Sequence, residues 1–492
     1  MIRIPAALLA LSAIAGPVPT VDATESPIVL ARTGDPAPGG GIYRSLDPPI
    51  LNEAGIVVFR AQVEAPPDSP RIAWFMVDTY RSMTPERVLA PDQPTPDGDG
   101  LLSAAAVFLR PMGQEFEFKA VIDQASPGTG KEGWYTRHAD GSITERIRGR
   151  KPLDLVDGGA ATIPCFLDVR RHTEGRLIFH GELVADPDVC PQGLGGPAVA
   201  YLLETDGTAR KLVAPGDPVL NRPGSSIGAW SHVLQGGSIP QPLFGDLYDG
   251  GAFAGNALFR LDGDQLTLDF ADGDVVPGVG QFTFGAWAGF RDLPGGGYLV
   301  RGILPPTAQV PQRHGFVRLA GDESEVLLET SQDIPGFGRV EAISPTGLRV
   351  GRSMAQIVTL PEGPAVLGVS VDGLVLGART NQSLPGIGPV AALGPLHVLH
   401  QGSVVHVARL SGTSSSPAIL VRAEAGGPRA LLPATMVIDG VSHRFDWSNL
   451  PIDPPVNERG QIVAWATPDG GNGLAGKIVY FGERVFGDGF EF

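Results

Sequence analysis

The sequence predicts an all-β protein that folds as a single β-propeller, with eight four-stranded blades closed by the N-terminal strand. Three observations lead to this fold class. One loop motif returns along the chain at a nearly constant interval, and each copy is flanked by short strand patterns. The 67 glycines and 46 prolines make up about 23 % of the 492 residues, where average usage is near 12 %, and they punctuate the apolar runs as tight turns would.

The recurring loop is first met as RTGDPAPGG at residues 32–40, and it returns as APGDPV at 214–219 and ADGDVVPGVG at 271–280. A related pair, SQDIPGFG at 331–338 and NQSLPGIG at 381–388, matches in register at Gln, Pro and both Gly. With the Asp of the first copy as the marker, the repeats recur about every 57 residues, which indicates a repeat architecture. The eight predicted marks lie near Asp35, Asp92, Lys151, Asp217, Asp274, Asp333, Ser383 and Met436.

Each repeat contains about four strand patterns, and its strongest strand follows a turn. That turn reads Asn-Glu-x-Gly at residues 52–55 and again at 457–460, where the Gly can adopt the positive φ that a tight turn needs. Four short antiparallel strands repeated eight times predict a propeller, with seven blades as the nearest alternative. Two or three separate β-sandwiches would not explain one period along the whole chain.

The order of the strands predicts how the ring closes. The strand pattern IVLART at residues 28–33 precedes every inner strand, whereas the last repeat lacks its fourth strand. We therefore expect the segment from Pro27 to Arg32 to complete the last blade by pairing with residues 477–482. This pairing would leave no open sheet edge in the ring.

The first residues have the pattern of a signal peptide: Arg3, a short apolar stretch and the small-residue sequence VDA at 21–23. We expect cleavage after Ala23, with Ala15 as the alternative, so residues 1–23 are the signal peptide. The propeller is expected to occupy residues 24–482 and a C-terminal tail residues 483–492. The protein is accordingly expected to be exported to the periplasm, the cell surface or the extracellular space. The mature chain should be a monomer without a transmembrane segment.

The chain contains two cysteines, Cys165 and Cys190, both in the third repeat. Cysteines persist as disulfides in oxidising compartments, so export predicts a Cys165–Cys190 bridge, with two buried thiols as the alternative. Two cysteines are too few to form a structural zinc site by themselves.

The formal net charge is −16, which bears on the possible partners. Nucleic-acid binding needs clustered Lys and Arg to neutralise phosphates, so nucleic acid is not expected as a partner. The ligand is instead expected among extracellular or cell-envelope molecules.

Motifs for catalysis and metal binding were sought along the whole chain. The GSSIG segment at 224–228 matches the Gly-x-Ser-x-Gly of serine hydrolases, but it lacks the strand before and the helix after that the motif needs, so Ser226 is predicted to lie in a loop. His397, His400 and His406 share one repeat, yet residues three apart on a strand face opposite sides, so solvent-facing or capped histidines are predicted there.

Acidic residues beside glycines recur at 96–100, 261–265 and 271–274. A calcium loop needs six to eight oxygen ligands in a fixed order, so these short segments are predicted to be turns, with calcium as the alternative. No catalytic residue, cofactor site or metal site is assigned from the sequence.

The pair TGDPAPG and LNEAGIVVFRA resembles a family of exported bacterial tandem-repeat proteins of uncharacterised function. Units of that family look like Thr-Gly-Asp-x-x-Pro-Gly followed by Leu-Asn-Asp-x-Gly-x-Val-x-Phe, and the match covers residues 28–63 and 455–465 best. The tail VFGDGFE at 485–491 resembles a Gly-Phe-Glu ending of secreted proteobacterial proteins. The resemblance implies export and repetition, and it supplies no catalytic residues.

Two functions follow from these observations. The expected function is a non-catalytic binding or scaffold propeller for a carbohydrate, a peptide or a protein partner. The alternative is a polysaccharide hydrolase or lyase with carboxylates at the central channel, since sequence spacing does not show a pair that comes from different blades. Carboxylates, or a carboxylate with His and Arg, converging with perturbed pKa values would distinguish the two.

Overall fold

The structure is a computed structural model that describes residues 27–482 apart from a series of gaps. The gaps are 65–70, 91–92, 113–114, 124–131, 150, 157–159, 163–167, 172–175, 182–198, 234–240, 264, 285–289, 293–296, 308–309, 311–312, 321–323, 336, 344–348, 351–353, 371–372, 386, 400–402, 412–417, 425–426, 433–434, 446, 448–455 and 470–474.

The described residues form eight antiparallel sheets of four or five strands, taken here as blades 1 to 8, and three short two-stranded hairpins. The chain enters through β1 (Ile28–Arg32) and then builds the blades in order. Blade 1 contains β2 (Ile42–Leu46), β3 (Ile50–Leu51), β4 (Ile56–Glu64), β5 (Arg71–Asp78) and β6 (Glu86–Leu89). Blade 2 contains β7 (Gln93–Pro94), β8 (Leu101–Met112), β9 (Glu115–Ile122), β10 (Glu132–Arg137) and β11 (Ile143–Arg148).

Blades 3 to 5 follow, two of them preceded by a hairpin. The hairpin β12 (Pro152–Asp154) and β13 (Ala160–Thr162) leads into blade 3, with β14 (Asp168–Arg171), β15 (Leu177–Gly181), β16 (Val199–Leu203) and β17 (Ala209–Val213). Blade 4 contains β18 (Ser225–Val233), β19 (Gln241–Asp249), β20 (Ala252–Asp262) and β21 (Gln265–Ala271). The hairpin β22 (Val275–Val276) and β23 (Gly280–Gln281) leads into blade 5, with β24 (Thr283–Phe284), β25 (Phe290–Asp292), β26 (Tyr298–Leu304), β27 (Arg313–Leu319) and β28 (Glu325–Glu329).

Blades 6 to 8 complete the ring. The hairpin β29 (Asp333–Ile334) and β30 (Gly338–Arg339) leads into blade 6, with β31 (Ala342–Ile343), β32 (Arg349–Val350), β33 (Met354–Leu360), β34 (Gly363–Ser370) and β35 (Gly373–Arg379). Blade 7 contains β36 (Ser383–Leu384), β37 (Gly388–Val398), β38 (Val404–Leu410), β39 (Ala418–Ala423) and β40 (Arg429–Ala430). Blade 8 contains β41 (Thr435–Ile438), β42 (Val441–Phe445), β43 (Ile462–Pro468) and β44 (Lys477–Phe481), and β1 is its outermost strand.

Apolar side chains join every neighbouring pair of blades, and the eighth pair returns to the first. Between blades 8 and 1, for example, Val463 and Tyr480 pack with Phe59 and Phe75 in one buried cluster. Each of the other seven pairs of neighbouring blades has its own apolar cluster. A strand buried on both faces needs a neighbour on each side, and the ring supplies one to every blade. The predicted eight-bladed propeller is therefore confirmed.

The N-terminal strand closes the ring as the sequence predicts. In β1, Ile28 lies opposite Tyr480 and Arg32 lies opposite Lys477 of β44, in an antiparallel pair. Asp439, in the turn between β41 and β42, adds a second connection because it bonds both Arg32 at 2.6 Å and Lys477 at 2.9 Å. Lys477, followed by Arg32, holds the pKa of the Asp439 carboxyl below its usual range.

The recurring loop has the same geometry at five connections between blades. In each loop a residue with positive φ is followed by Asp or Gln, whose backbone N–H donates to the carbonyl three residues earlier. The five pairs are Gly34–Asp35, Gly216–Asp217, Gly273–Asp274, Ser331–Gln332 and Asn381–Gln382. In the last four, the side-chain oxygen of Asp or Gln also accepts from the backbone N–H three residues earlier, at 2.7–3.0 Å.

This geometry corrects several of the predicted marks. The residues equivalent to Asp35 are Gln332 and Gln382, one position before the predicted Asp333 and Ser383, because the longer Gln side chain makes the same hydrogen bond as Asp. Met436 lies inside β41, and Lys151 lies beside β12 and not in a loop of this geometry. The mark at Asp92 lies outside the described residues.

The two Asn-Glu-x-Gly turns meet at the junction of blades 8 and 1, which we call the seam. Gly55 and Gly460 adopt positive φ values of 73° and 79°, as the sequence predicts. The Asn457 Nδ2 donates to the backbone oxygen of Asn52 at 3.0 Å. The two turns thus hold the first and last blades together on one side of the ring.

Carboxylates continue this chain of contacts from turn to turn. The backbone N–H of Glu458 donates to the carboxylate of Glu53 at 3.1 Å. The carboxylate of Glu458 in turn accepts from the Ser403 hydroxyl of blade 7 at 2.6 Å and pairs with Arg422 at 3.3 Å. In both cases a glutamate of one blade accepts a hydrogen bond from the turn of the preceding blade. These contacts therefore extend from the seam to blade 7.

Other features predicted from the sequence fall outside the described residues. Cys165 and Cys190, the expected signal peptide and the C-terminal tail are among them, so the disulfide and the cleavage site remain predictions. Within the described ranges, no helix is long and apolar enough to cross a membrane.

The closure predicts the effect of removing β1. A chain that begins at Thr33 loses the ladder with β44 and exposes the partners of the buried Leu30 and Ala31. We expect it to lose at least about 3 kcal/mol of unfolding free energy relative to a chain that begins at Pro27, since removal of one buried leucine alone costs a comparable amount. Urea unfolding of the two chains measures the difference. Superimposable unfolding curves would contradict the closure.

We expect the substitution Asn457→Ala, in the seam, to lower the free energy of unfolding strongly. The Asn457 side chain is fully buried and bonds Asn52, Arg459 and Gln461, so alanine would leave several buried polar groups unsatisfied. We expect a loss of about 2–4 kcal/mol of unfolding free energy. The control is Asn221→Ala, which removes two exposed bonds to Leu268 and should cost about 1 kcal/mol or less. Equal losses in both variants would contradict the structural role of the seam.

Candidate functional site

The first strand of most blades is broken near its middle. In blades 1, 5 and 6 it consists of two short pieces that pair with the same second strand, and in blades 2, 4 and 7 it carries a register shift. In a propeller the first strands surround the central channel, so each break opens the ladder on the channel side. Each break therefore interrupts the regular pairing of the second strand with the first.

One position on the second strand lies beside the break, and in several blades it carries a charged side chain. The last residue pair before the break locates it, such as Leu46 with Ala61 in blade 1 and Phe284 with Gly302 in blade 5. The position is the residue that directly precedes Ala61 or Gly302 in the second strand. We call it the break-facing position. Its charged occupants are Arg60, Asp246 and Arg301 in blades 1, 4 and 5, whereas in blade 2 the position is Ala120 and the next residue, Lys119, pairs with Phe108.

In blade 1 the break-facing cation has an acidic partner within its own blade, and so does Lys119 beside the break of blade 2. Arg60 forms an ion pair with Asp47, which lies in the break of the first strand. Lys119 forms an ion pair with Glu132 of the third strand of blade 2. These two charges are neutralised inside the fold.

In blade 4 the break-facing carboxylate of Asp246 forms no hydrogen bond or ion pair with a described residue. It is partly buried beside Gly228 of the break, where a side chain would contact the Cβ of Asp246. Burial alone raises the pKa of the Asp246 carboxyl. The ring of Tyr248 packs against the same glycine, so a side chain at Gly228 would collide with both residues.

In blade 5 the break-facing Arg301 is deeply buried, with only 5 % of its surface exposed. Its Nε is shielded from solvent and has no hydrogen-bond partner, and the guanidinium makes no ion pair with any described residue. Burial lowers the pKa of the Arg301 guanidinium. The break of this blade has the sequence GAWAG at 285–289, which contains no acidic residue equivalent to Asp47.

Arg301 lies at the interface between blades 5 and 6. Arg301 lies on the same face of β26 as Leu299, which packs against blade 6 in a fully buried cluster. His314 of the neighbouring strand β27 pairs with Ile303 and lies on the same face. Burial, and then the positive charge of Arg301, lower the pKa of the His314 imidazole. Across the interface, the fully buried Gln356 lies on the side of β33 that faces blade 5.

The histidines considered in the sequence lie apart. His406 is fully buried instead of solvent-facing, and its Nε2 accepts from the backbone N–H of Ala378 at 3.0 Å. Leu396 pairs with His406, so the next residue, His397, lies on the opposite face of blade 7. His400 lies outside the described residues.

In two of the three acidic segments, at 96–100 and 271–274, the carboxylates have protein partners. Asp97 and Asp99 both bind Arg148, and a hydrogen bond from Lys151 holds the pKa of Asp97 well below its usual range. In the loop at 271–274, Asp272 accepts from Phe284 N at 2.6 Å. The side chains described here include no group of three or more His, Cys, Asp or Glu placed to hold a metal ion.

Ser226 lies in β18 and not in a loop, because the strand starts at Ser225 directly after the turn at Gly224. No helix follows it, so the serine-hydrolase elbow is not formed.

Sequence reasoning missed Asp246, Arg301 and His314. A signal was present, because Arg301 interrupts the apolar run YLVRGIL and Asp246 interrupts PLFGDLY. A single charge in the middle of a strand that is apolar on both faces indicates either a buried ion pair or a binding site.

The sheet order and the eight interfaces define the class of protein, an eight-bladed β-propeller closed by its N-terminal strand. No protein-family model matches the chain, and a comparison with curated proteins finds no match. A solved structure of Pyrococcus horikoshii acylaminoacyl peptidase is similar, with 11 % identity and a TM-score of 0.38, over 87 % of this chain and 58 % of that chain. The chain therefore spans little more than half the length of the peptidase.

Two further structures are similar along most of their own length. The Dos1 propeller has 9 % identity and a TM-score of 0.36, over 94 % of this chain and 96 % of that chain. The polysaccharide lyase Uly1 has 11 % identity and a TM-score of 0.36, over 80 % of this chain and 92 % of that chain.

The burial of His406 predicts a pH-dependent loss of stability. Burial lowers the pKa of His406 to about 4 in the folded protein, against about 6.5 in an unfolded chain. Between these values the unfolded chain binds more protons, so stability falls as the pH drops. From pH 7 to pH 5 we expect His406 to contribute a loss of about 2 kcal/mol.

Urea unfolding at the two pH values tests this, with His406→Gln as the variant. The difference between pH 7 and pH 5 should shrink in His406→Gln and stay unchanged in His138→Gln, a control at a half-buried histidine that bonds Glu115 and Thr144. An undiminished difference in His406→Gln would contradict the prediction.

Proposed function

We propose that this protein is an exported, non-catalytic binding propeller that holds a carbohydrate, peptide or protein ligand through blades 4 and 5. One observation carries the proposal. The break-facing side chains of these blades, Asp246 and Arg301, make no ion pair with a described residue, whereas the equivalent Arg60 of blade 1 is paired with Asp47.

The physical argument concerns the cost of such groups. A buried charge without a partner destabilises the folded protein, so an apolar residue would be more stable at the same position. Two other blades do carry an apolar residue at the break-facing position, Ile357 in blade 6 and Val407 in blade 7. Groups that are costly to the fold are typical of sites where a ligand supplies the missing partner.

A polysaccharide hydrolase or lyase is the second candidate, and Asp246 favours it. Burial raises the pKa of the Asp246 carboxyl, which makes it better suited to act as a general acid than an exposed aspartate. Glycoside hydrolysis needs two carboxyl groups on either side of the scissile bond. The described residues show Asp246 alone at this place, so binding is the function that the geometry supports better.

Two measurements with the full mature chain test the candidates. Glycan and peptide arrays test binding, and a panel of polysaccharide substrates tests turnover. We expect saturable binding without turnover, weakened at least about tenfold in the double variant Asp246→Asn, Arg301→Gln, because each lost charged contact costs about 1.5–3 kcal/mol. The control Arg60→Gln changes the paired equivalent in blade 1 and should bind normally. Turnover that disappears in Asp246→Asn would replace the binding function by the enzymatic one.

A further inference from the structure

The blade repeat shows which chemical group the break-facing arginine binds. Arg60 and Arg301 occupy equivalent positions beside the break of the first strand. In blade 1 the partner of the arginine is the Asp47 carboxylate, supplied by the break itself. In blade 5 the sequence of the break, GAWAG, supplies no carboxylate. The chain therefore supplies a carboxylate partner to Arg60, whereas no described residue supplies one to Arg301.

We propose that Arg301 binds a single carboxylate group of the ligand, at the interface of blades 5 and 6 and beside His314. The inference rests on the proposed binding function and adds the chemical class of the ligand group. The planar guanidinium can donate two parallel hydrogen bonds to a carboxylate, which is the match seen most often between these groups. The nearly complete burial of Arg301 would strengthen such a bond relative to one in water.

The charge of the whole protein selects a small anion over a polyanion. With a formal net charge of −16, the chain repels an extended acidic polymer at long range. A single carboxylate carries only one charge, so it meets this repulsion far less than a polymer does and gains the full contact with Arg301. A monocarboxylate, such as one acidic sugar unit or one peptide terminus, is therefore the expected ligand group.

The environment of Arg301 contains the groups that such a carboxylate would meet. His314 lies on the same face of blade 5, and its lowered pKa keeps the imidazole neutral at neutral pH, so that it can donate one hydrogen bond. Gln356 of blade 6 faces the same interface and carries an amide. Thr330 hydrogen-bonds the backbone of His314 and so fixes its strand. No carboxylate of a described residue bonds or pairs with the guanidinium.

Thermal melting of the full chain with small probes tests the inference. The probes are glucuronate and its neutral methyl ester, N-acetylalanine and its amide, and inorganic phosphate, all at constant ionic strength. We expect at least one of the two acids to raise the melting temperature by about 1–2 °C at about ten times its Kd, and its neutral counterpart to have no effect. The first pair tests a sugar acid and the second a peptide terminus. Equal shifts with acid and neutral counterpart, an equal shift with phosphate, or no shift with either acid would overturn the inference.

Two variants separate a ligand-binding arginine from a structural one. Without probe, Arg301→Met should melt at the same or a slightly higher temperature than the parent, because it removes a buried charge that has no partner. The matched variant Arg60→Met should melt lower, because it leaves Asp47 without its cation. With probe, Arg301→Met should lose the shift, Arg301→Lys should keep only part of it, and Arg60→Met should keep it. A lowered melting temperature of Arg301→Met, or a retained shift, would overturn the inference.

The outcome also separates this inference from the proposed function. An array ligand that binds the parent and Arg301→Met equally would leave the binding function standing and overturn the carboxylate site. A carboxylate-dependent shift together with enzymatic turnover of an acidic polysaccharide would support the site and overturn the non-catalytic function.

Discussion

The fold depends on the burial of two apolar faces in every blade, a requirement that only a closed ring meets. Each blade packs against both of its neighbours, and the last of these contacts joins blade 8 to blade 1. The β1–β44 ladder, Asp439 and the seam around Asn457 hold that last contact. Separation of blades 8 and 1 would expose two apolar faces at once.

The sequence was sufficient to predict the architecture because glycine and loop geometry recur with the blade. The closing strand was predicted from strand order, which is a counting argument that needs no side-chain contacts. Two marks were placed one residue too late because a different residue type makes the same contact. Gln332 and Gln382 make the hydrogen bond of Asp217 and Asp274 with a longer side chain. Similarly, Ser331 and Asn381 adopt the positive φ that glycine adopts elsewhere.

The candidate site could not be predicted in the same way. Whether a charged residue on a second strand meets a partner depends on the break in the first strand, and a break shifts the pairing register by an amount that the period does not reveal. Arg60 and Arg301 look alike in sequence, each inside an apolar strand. Their difference is the residue opposite, Asp47 in one blade and a stretch without acids in the other.

The closing strand also determines when the protein can become stable. The residues of β1 are synthesised first, yet their partners in β44 are synthesised more than 400 residues later, as the Arg32–Asp439 separation of 407 shows for a neighbouring contact. Until then the growing chain carries unpaired edges and apolar blade faces that invite aggregation. Contacts this distant in sequence also slow folding, since a long loop must close before they form. The architecture therefore favours a chain that is kept unfolded by chaperones until synthesis is complete.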